Sequence, residues 1–268
     1  MNRKNWINIF SGIIAIGLCT IFLGMSQATA QTKKAEESKI NKMKKVLFVV
    51  TSNAVKGATG IPTGYNLSEV THPLEKLEAG GITVEFASIK GGDAPLDGLE
   101  DFKDPINAHY WADAEFRKAI ANTKKLDEVN PADYSAIFFA GGHGTMWDFP
   151  ESPAVLRVTR EIYEAGNIVS AVCHGPAALV NVKLSDGSYL ISGKNVASFT
   201  NGEEEEVQST KVIPFLLADA LAAHGAIYHN SPNWSNNVIV DGRLITGQNP
   251  QSAASLGEAI LAQLRNQK

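Results

Sequence analysis

Cys173 is the residue that the sequence places best for covalent chemistry. It follows the apolar run 167–172 and precedes Gly175-Pro176, a pattern that predicts a buried strand turning sharply into a helix. A side chain on such a turn is held out at the carboxyl end of the sheet, as in the nucleophile elbow G-x-S-x-G. Free N–H groups at the helix start favour the thiolate, so we predict a lowered thiol pKa and a nucleophile at neutral pH. The alternative is a buried cysteine that packs as a small hydrophobe.

Two further groups could move protons beside this cysteine. Adjacent side chains can lie on one side of a sharp turn, so His174 could act as a proton carrier if a carboxylate oriented it. The four glutamates at 203–206 could supply that carboxylate, although most of the run is expected to be solvated. The alternative for His174 is a surface position at the helix start.

A glycine-rich loop, Gly141-Gly142-His143-Gly144, follows another predicted strand. Glycines let backbone N–H groups approach a ligand, so the loop could stabilise an oxyanion as a carbonyl is attacked; a tight turn without a ligand is the alternative. Neither G-x-G-x-x-G nor a Walker lysine is present, so no phosphate motif is indicated. The other histidines lack metal-ligand spacing such as H-x-x-x-H, and we predict no metal; they are His72, His109, His224 and His229.

The elements that must position these residues alternate between strands and helices. This alternation predicts an α/β domain with a doubly wound, mostly parallel sheet sandwiched by helices, as in flavodoxin-like folds. Ligands bind at the carboxyl ends of the strands in such sheets, where Cys173, the glycine loop and the helix start with Glu69 all fall. Strands are predicted at 45–51, 82–88, 135–140, 167–172, 190–191, 195–199, 227–228, 238–240 and 244–246, and helices at 66–79 with Asn66 or Ser68 as the cap, 152–164, 208–224 and 252–264.

The first 44 residues differ in kind from the rest of the chain. Two basic residues precede an apolar stretch at 9–24, and the small-x-small pattern Ala28-Thr29-Ala30 follows. This predicts a signal peptide over residues 1–30, with a periplasmic or secreted protein after cleavage near Ala30. A membrane anchor formed by residues 9–24 is the alternative. Residues 31–44 are polar and mixed in charge, which predicts a solvated spacer.

The remaining chain has the composition of one globular domain. Of its 268 residues, 44% are hydrophobic and 19% charged, so we predict one domain over 45–268 with a sizeable core. The Asp-, Gly- and Pro-rich stretch at about 91–131, helical near 113–123, is predicted to be a lid or an insertion. Without residues 1–30, 22 basic residues face 28 acidic ones, a net charge of −6, which indicates no nucleic-acid surface. Cleavage also removes Cys19, so Cys173 would have no disulfide partner in the chain.

Four motifs in order resemble the DJ-1/PfpI superfamily, in particular its heat-shock chaperone and glutathione-independent glyoxalase branch. The resemblance covers about residues 45–265 and implies a class I glutamine amidotransferase-like fold. An amidotransferase needs a downstream His-x-Glu, which this sequence lacks. The motifs are Phe139-Ala140-Gly141-Gly142-His143-Gly144-Thr145, Ala171-Val172-Cys173-His174-Gly175-Pro176, Asp241-Gly242-Arg243-Leu244-Ile245-Thr246-Gly247 and Asn249-Pro250-Gln251-Ser252.

The resemblance also implies roles at individual positions. The nucleophile of the family falls on Cys173, and its adjacent histidine on His174. The glutamate that hydrogen-bonds the thiol falls on Glu69, and the triad acid falls on Glu204, with Glu205 as the alternative. The backbone donors to an oxyanion fall on Gly141, Gly142 and the His174 amide.

The activity implied by the resemblance is that of a glyoxalase III-like enzyme, a lyase of the hydro-lyase type. Cys173 would add to a small 2-oxoaldehyde such as methylglyoxal, and lactate would be released without glutathione, metal or any other cofactor. A cysteine hydrolase (peptidase, amidase or protein deglycase) and a holdase chaperone that binds unfolded client proteins are the alternatives. We also expect a homodimer with no nucleic-acid partner. The glyoxalase branch mostly serves the cytosol in stress responses, so export would point to another carbonyl substrate or to a chaperone or redox-sensing role.

Overall fold

The computed structural model describes residues 44–97 and 100–267. The predicted signal peptide, its membrane-anchor alternative and nearly all of the polar spacer lie outside the described residues, so all three stay predictions. Within the described ranges, none of the helices combines the length and the apolar character that crossing a bilayer requires.

A mostly parallel sheet forms the centre of the domain. In the described residues one sheet has the order β10-β11-β7-β6-β1-β3-β5, and only β10 and β11 pair antiparallel; β2 with β4 and β8 with β9 form two short separate pairs. The strands, in chain order, are β1 (Lys45–Val50), β2 (Tyr65–Asn66), β3 (Thr83–Ser88), β4 (Leu96–Asp97), β5 (Lys124–Lys125), β6 (Ala136–Phe139), β7 (Ile168–Val172), β8 (Asn195–Val196), β9 (Ile227–Tyr228), β10 (Val238–Asp241) and β11 (Leu244–Gly247).

Helices cover both faces of this sheet. Those of the described residues are α1 (Leu67–Ala79), α2 (Pro105–Ala112), α3 (Ala114–Ala121), α4 (Thr145–Asp148), α5 (Pro153–Glu164), α6 (Asn201–Glu206), α7 (Leu217–Ala223) and α8 (Ala253–Asn266). In β1, Val46, Phe48 and Val50 face an apolar core shared with α1 and α8, while Leu47 and Val49 face a second core shared with α5 and α7. A strand buried on both faces is typical of a doubly wound sheet, and the predicted fold is confirmed.

Helix α1 delivers Glu69 to the carboxyl edge of the sheet. Its cap is Asn66, one of the two predicted candidates, whose side chain accepts a hydrogen bond from Glu69 N at 3.2 Å. The helix packs closely against α8, because a Cβ on Gly257 would lie only 2.6 Å from Pro73 Cα. The absence of a side chain at Gly257 therefore allows α8 to approach α1 closely at Pro73.

The sequence predictions fail mainly between residues 190 and 224. The predicted helix over 208–224 is wrong in its first half, because Pro214 has no N–H and disfavours a helical residue before it, and α7 begins only at Leu217. The predicted strands at 190–191 and 195–199 reduce to β8. The sequence also missed α6, which a capping box at Thr200 and Glu203 begins.

The stretch at 91–131 packs onto the body of the domain. Tyr110 donates from its hydroxyl to Glu78 Oε2 at 2.7 Å, and Asn107 Nδ2 donates to Ser68 Oγ at 2.8 Å, so α2 is attached to α1. The stretch then adds β5 to the edge of the sheet. Its function as a lid stays a prediction.

Candidate active site

The turn after β7 holds Cys173 in an unusual backbone conformation. Its φ is 59°, in the left-handed region that non-glycine residues rarely adopt. The N–H of Cys173 donates to Gly247 O at 2.9 Å, and its carbonyl accepts from Phe199 N at 2.8 Å, so two neighbouring segments fix the conformation. A Cβ on the next glycine, Gly175, would lie 2.2 Å from Phe139 O, which shows how tightly the turn packs on β6. Strain of this kind is typical of functional sites.

The thiol of Cys173 does not have the lowered pKa that we predicted from the following helix. Only a short 3-10 helix, Gly175–Leu179, follows the turn. Cys173 is 4% exposed. Burial, together with the charge and hydrogen bonding of Glu69, raises the thiol pKa well above its ordinary value. The prediction is wrong because burial outweighs the dipole of one short helix. A thiol with this pKa can react as a nucleophile near neutral pH only if a neighbouring group takes its proton.

Cys173, His174 and Glu204 form a chain of polar contacts that begins at the sulfur. Cys173 Sγ lies 3.3 Å from His174 Nδ1, and His174 Nε2 lies 2.8 Å from Glu204 Oε2. Burial and then the nearby His143 lower the pKa of His174 to about 4, so this imidazole is neutral at pH 7. Burial alone would raise the pKa of Glu204, but hydrogen bonds from the two histidines lower it to about 2. A neutral imidazole oriented by a carboxylate can accept a proton from the thiol.

The acidic run divides evenly between the interior and the surface. Glu203 and Glu204 are buried, whereas Glu205 and Glu206 are exposed, so the expectation of a mostly solvated run holds for only half of it. Glu204, rather than the alternative Glu205, contacts the histidine.

Glu203 is a buried carboxylate that holds the neighbourhood of Glu204 together. It accepts four hydrogen bonds at 2.7–3.1 Å, and among the donors are the Trp234 N–H and the side-chain amides of Gln248 and Asn249. These donors belong to two loops and to the cap of α6. Glu203 thereby ties α6, which bears Glu204, to the loop after β11.

Replacing Glu203 by alanine is expected to lower the free energy of unfolding by about 3 kcal/mol or more, because several buried donors would lose their acceptor at about 1–3 kcal/mol each. Urea unfolding measures the change. The matched control is Glu205→Ala on the same helix, where an exposed side chain should change stability by no more than about 0.5 kcal/mol. Equal effects of the two substitutions would contradict this role of Glu203.

Glu69 is a second titratable group beside the sulfur. Its Oε2 accepts a hydrogen bond from Gly141 N at 2.7 Å, while its Oε1 is buried and has no hydrogen-bond partner of good geometry among the described residues. The same carboxyl interacts with the Cys173 thiol, and burial raises the pKa of Glu69 to about 8. At neutral pH the carboxyl is therefore mostly protonated, and it can supply or accept one proton beside Cys173.

The glycine loop meets both Glu69 and the turn. A Cβ on Gly141 would lie 2.5 Å from Glu69 Oε2 and 2.8 Å from His174 N, so only glycine fits there. The predicted oxyanion donor at Gly141 does not fit the structure, because that N–H already donates to Glu69. The amides of Gly142 and His174 remain as candidate donors. The His174 amide already faces the sulfur, where its hydrogen bond favours the thiolate.

His143 and Asp97 are site residues that the sequence analysis left without a role. His143 Nε2 lies 2.9 Å from Glu204 Oε1, and its ring packs against that of His174 with centroids 4.2 Å apart and an interplanar angle of 38°. Burial opposes its protonation, but Asp97 and Glu204 raise the His143 pKa above its ordinary value. The position of His143 in the strand-terminal glycine loop was a usable signal. Asp97 gave none, because it lies in β4, far along the chain.

Aromatic rings form one wall of the site. Phe199 lies against His174 with centroids 4.4 Å apart, and the ring centroid of the partly exposed Trp234 lies 5.6 Å from that of Phe199.

His143, His174 and Glu204 also place one ligand atom each within 4.8 Å of one another, so this cluster could hold a metal ion.

Fold and site together define the class. A doubly wound sheet with a cysteine on a left-handed strand-terminal turn, beside a histidine and a buried glutamate, is an α/β protein of the class I glutamine amidotransferase-like type. The chain belongs to the DJ-1/PfpI family, whose sequence model matches residues 44–263.

The chain aligns with nearly the whole length of several individual relatives. The chain is 32% identical over 231 residues to Glyoxalase 3 of Candida albicans and 34% identical over 235 residues to the glutathione-independent glyoxalase HSP31 of Saccharomyces cerevisiae, covering 82% and 83% of this chain and 98% and 99% of those proteins. Among solved structures, Rapid Encystment Protein 24 KDa of Francisella tularensis has a TM-score of 0.80 at 41% identity, covering 83% of this chain and 99% of that one. Glyoxalase III of Candida albicans has a TM-score of 0.74 at 31% identity, with 82% and 97% covered.

Proposed function

We propose that this protein is a glutathione-independent glyoxalase that converts a small 2-oxoaldehyde such as methylglyoxal into the 2-hydroxy acid. The names of the two fungal relatives support the reaction. The observation that carries the proposal for this chain is the buried Oε1 of Glu69, which has no hydrogen-bond partner of good geometry in the described residues and belongs to a carboxyl that interacts with the Cys173 thiol. A buried polar atom without a partner is costly, and a reacting substrate would supply the partner.

The first step is addition of the sulfur to the aldehyde carbon. His174 Nδ1, 3.3 Å from Sγ, takes the thiol proton as the carbon–sulfur bond forms, and Glu204 stabilises the resulting imidazolium. The aldehyde oxygen accepts hydrogen bonds from the candidate amides, and His174 then gives the thiol proton to this oxygen, which yields a hemithioacetal and a neutral imidazole. A high thiol pKa is compatible with this step because the proton moves to the imidazole in the same event.

The second step moves hydrogen between the two substrate carbons. Glu69 in its ionised form removes the proton from C1, which gives an enediolate. The hydroxyl proton on the C1 oxygen moves through His174 to the C2 oxygen, and the protonated Glu69 returns its own proton to C2. The result is a thioester of the 2-hydroxy acid on Cys173. Water then cleaves the carbon–sulfur bond, releases the acid and restores the thiol, so one water is consumed for each aldehyde. No redox cofactor is needed because C1 is oxidised as C2 is reduced.

The depth of the site favours a small substrate over a peptide. Cys173 and His174 are only 4% and 1% exposed. A peptide or a glycated side chain would need its carbonyl to reach a sulfur below the surface. The hydrolase alternative therefore requires an opening of the site that the glyoxalase reaction does not require.

Proton NMR of the reduced protein with methylglyoxal tests the proposal. We expect lactate to accumulate without added glutathione or metal, and a panel of peptides and glycated amino acids to be turned over far more slowly. Absence of lactate, with Cys173 shown by mass spectrometry to be reduced, would refute the proposed activity.

Export and dimerisation remain part of the proposal. A protein cleaved near Ala30 and recovered from the periplasm or the medium would agree with the sequence prediction, and its mass by light scattering would report the expected homodimer. Recovery of the intact chain from membranes would support the anchor at 9–24.

A further inference from the structure

The cluster of His143, His174 and Glu204 has the composition of a metal site. Both imidazoles direct Nε2 at the same carboxylate, at 2.9 Å for His143 and 2.8 Å for His174. Two imidazole nitrogens and one carboxylate are a common ligand set for zinc. We propose that these three residues bind a divalent transition-metal ion of the zinc type, and that the bound ion holds the cysteine site inactive. Local residue spacing does not reveal this site, because each ligand comes from a different segment of the chain.

Only small movements are needed to accept the ion. Zinc lies about 2.0–2.2 Å from nitrogen and oxygen ligands, so tetrahedral ligands are separated by about 3.4 Å. The present nitrogen–oxygen distances of 2.8 and 2.9 Å would widen by about half an ångström. No ligand atom is more than 4.8 Å from the others, so the two rings need only tilt toward a common point. The fourth position is left for water.

The surroundings of the cluster also suit a metal. Ligating histidines usually direct their second nitrogen at a carboxylate, and His143 Nδ1 lies 3.8 Å from Asp97 Oδ2, which Thr63 also holds. The charges of Asp97 and Glu204 offset that of Lys56, whose field reaches both histidines. The His143 side chain is 13% exposed, against 1% for His174 and 4% for Glu204, so the ion can enter beside His143.

Binding would change the tautomer of His174. A neutral imidazole that gives its Nε2 lone pair to a metal has its proton on Nδ1. That nitrogen faces Cys173 Sγ at 3.3 Å and could then no longer accept the thiol proton. Binding itself is independent of the enzyme's reaction, whereas inhibition rests on the function proposed above.

The binding test uses tag-free Cys173→Ala protein, so that the thiol cannot hold the ion. Titration with Co²⁺, followed by its visible d–d bands, and calorimetry with Zn²⁺ are expected to show one ion per chain. His143→Asn in this background should abolish the signal, and Asp97→Asn should weaken affinity by about 10- to 100-fold. The control is His72→Asn, which removes a histidine paired with Asp104 away from the site and should leave binding unchanged.

Absence of an ion in Cys173→Ala protein, or binding that survives His143→Asn, would overturn the proposal. Circular dichroism confirms that each variant is folded, and His143→Gln provides a second test if the asparagine variant is not. Wild-type turnover of methylglyoxal should fall when Zn²⁺ is added and recover with a chelator. Lack of any turnover in metal-free protein would refute the glyoxalase and leave the binding result standing, so the two failures are distinguishable.

Discussion

Alanine at position 173 is expected to reduce methylglyoxal turnover by at least about 1,000-fold, because the reaction has no other nucleophile among the described site residues. Production of lactate, followed by NMR at saturating substrate, measures the loss. The serine variant Cys173→Ser should lose nearly as much, since a hydroxyl of higher pKa is a weaker nucleophile in the same geometry.

Stability must be followed beside activity, because position 173 is strained. With φ at 59°, any non-glycine residue costs free energy there, and both variants keep that cost. Urea unfolding should therefore show alanine, serine and wild-type proteins to be folded under assay conditions. A folded alanine variant that retains a tenth of the wild-type rate would exclude Cys173 as the nucleophile.

Glu69→Gln is expected to lower kcat by about 100- to 10,000-fold, the range for loss of a general acid–base group, with a smaller change in KM. The amide can still accept from Gly141 N, so the loop should keep its position. The same substitution should lower the pKa of Cys173, because Glu69 is one cause of its rise. Alkylation by iodoacetamide as a function of pH measures that shift. The control Glu75→Gln lies on the exposed side of α1.

The free energy of unfolding of wild-type protein and that of Glu69→Gln should also differ in their dependence on pH. Folding raises the pKa of Glu69 from an ordinary 4.5 to about 8, so the folded chain binds this proton more tightly than the unfolded chain. The stabilisation of the folded state by this proton is fully present below pH 4.5 and is lost as the pH rises toward 8. Subtracting the curve of Glu69→Gln from that of wild type should reveal this loss. An unchanged or higher kcat of Glu69→Gln would contradict the acid–base role of Glu69, and a flat difference curve would contradict its raised pKa.

The sequence predicted the positions of the site residues better than their environment. Strand-length apolar runs before Gly141 and Cys173 placed both at the carboxyl edge of the sheet, and the cap at Asn66 placed Glu69 beside them. These features are local, so a pattern of a few residues contains them. A mostly parallel sheet with helices on both faces followed from the alternation of strands and helices, whereas the order of the strands did not.

The errors have a common physical origin in tertiary contacts. The lowered pKa predicted for Cys173 failed because burial and Glu69, and not the short helix, dominate the titration. His143 received no role because its partners, Asp97 and Glu204, lie 46 and 61 residues away in the chain. Glu203 was grouped with its exposed neighbours because its hydrogen-bond donors come from residues near 234 and 249. None of these contacts has a local signature.

The neighbouring glutamates of α6 have a consequence for how variants of this family are interpreted. Glu203 joins α6 to the loop after β11 by hydrogen bonds, and Glu204 contacts His174. The two residues are nevertheless adjacent in sequence and lie on one short helix. In a growth-based mutational scan, both positions would score as intolerant, and Glu203 would be mistaken for a member of the catalytic apparatus. Scoring protein abundance separately from activity per molecule would assign the first to folding and the second to turnover.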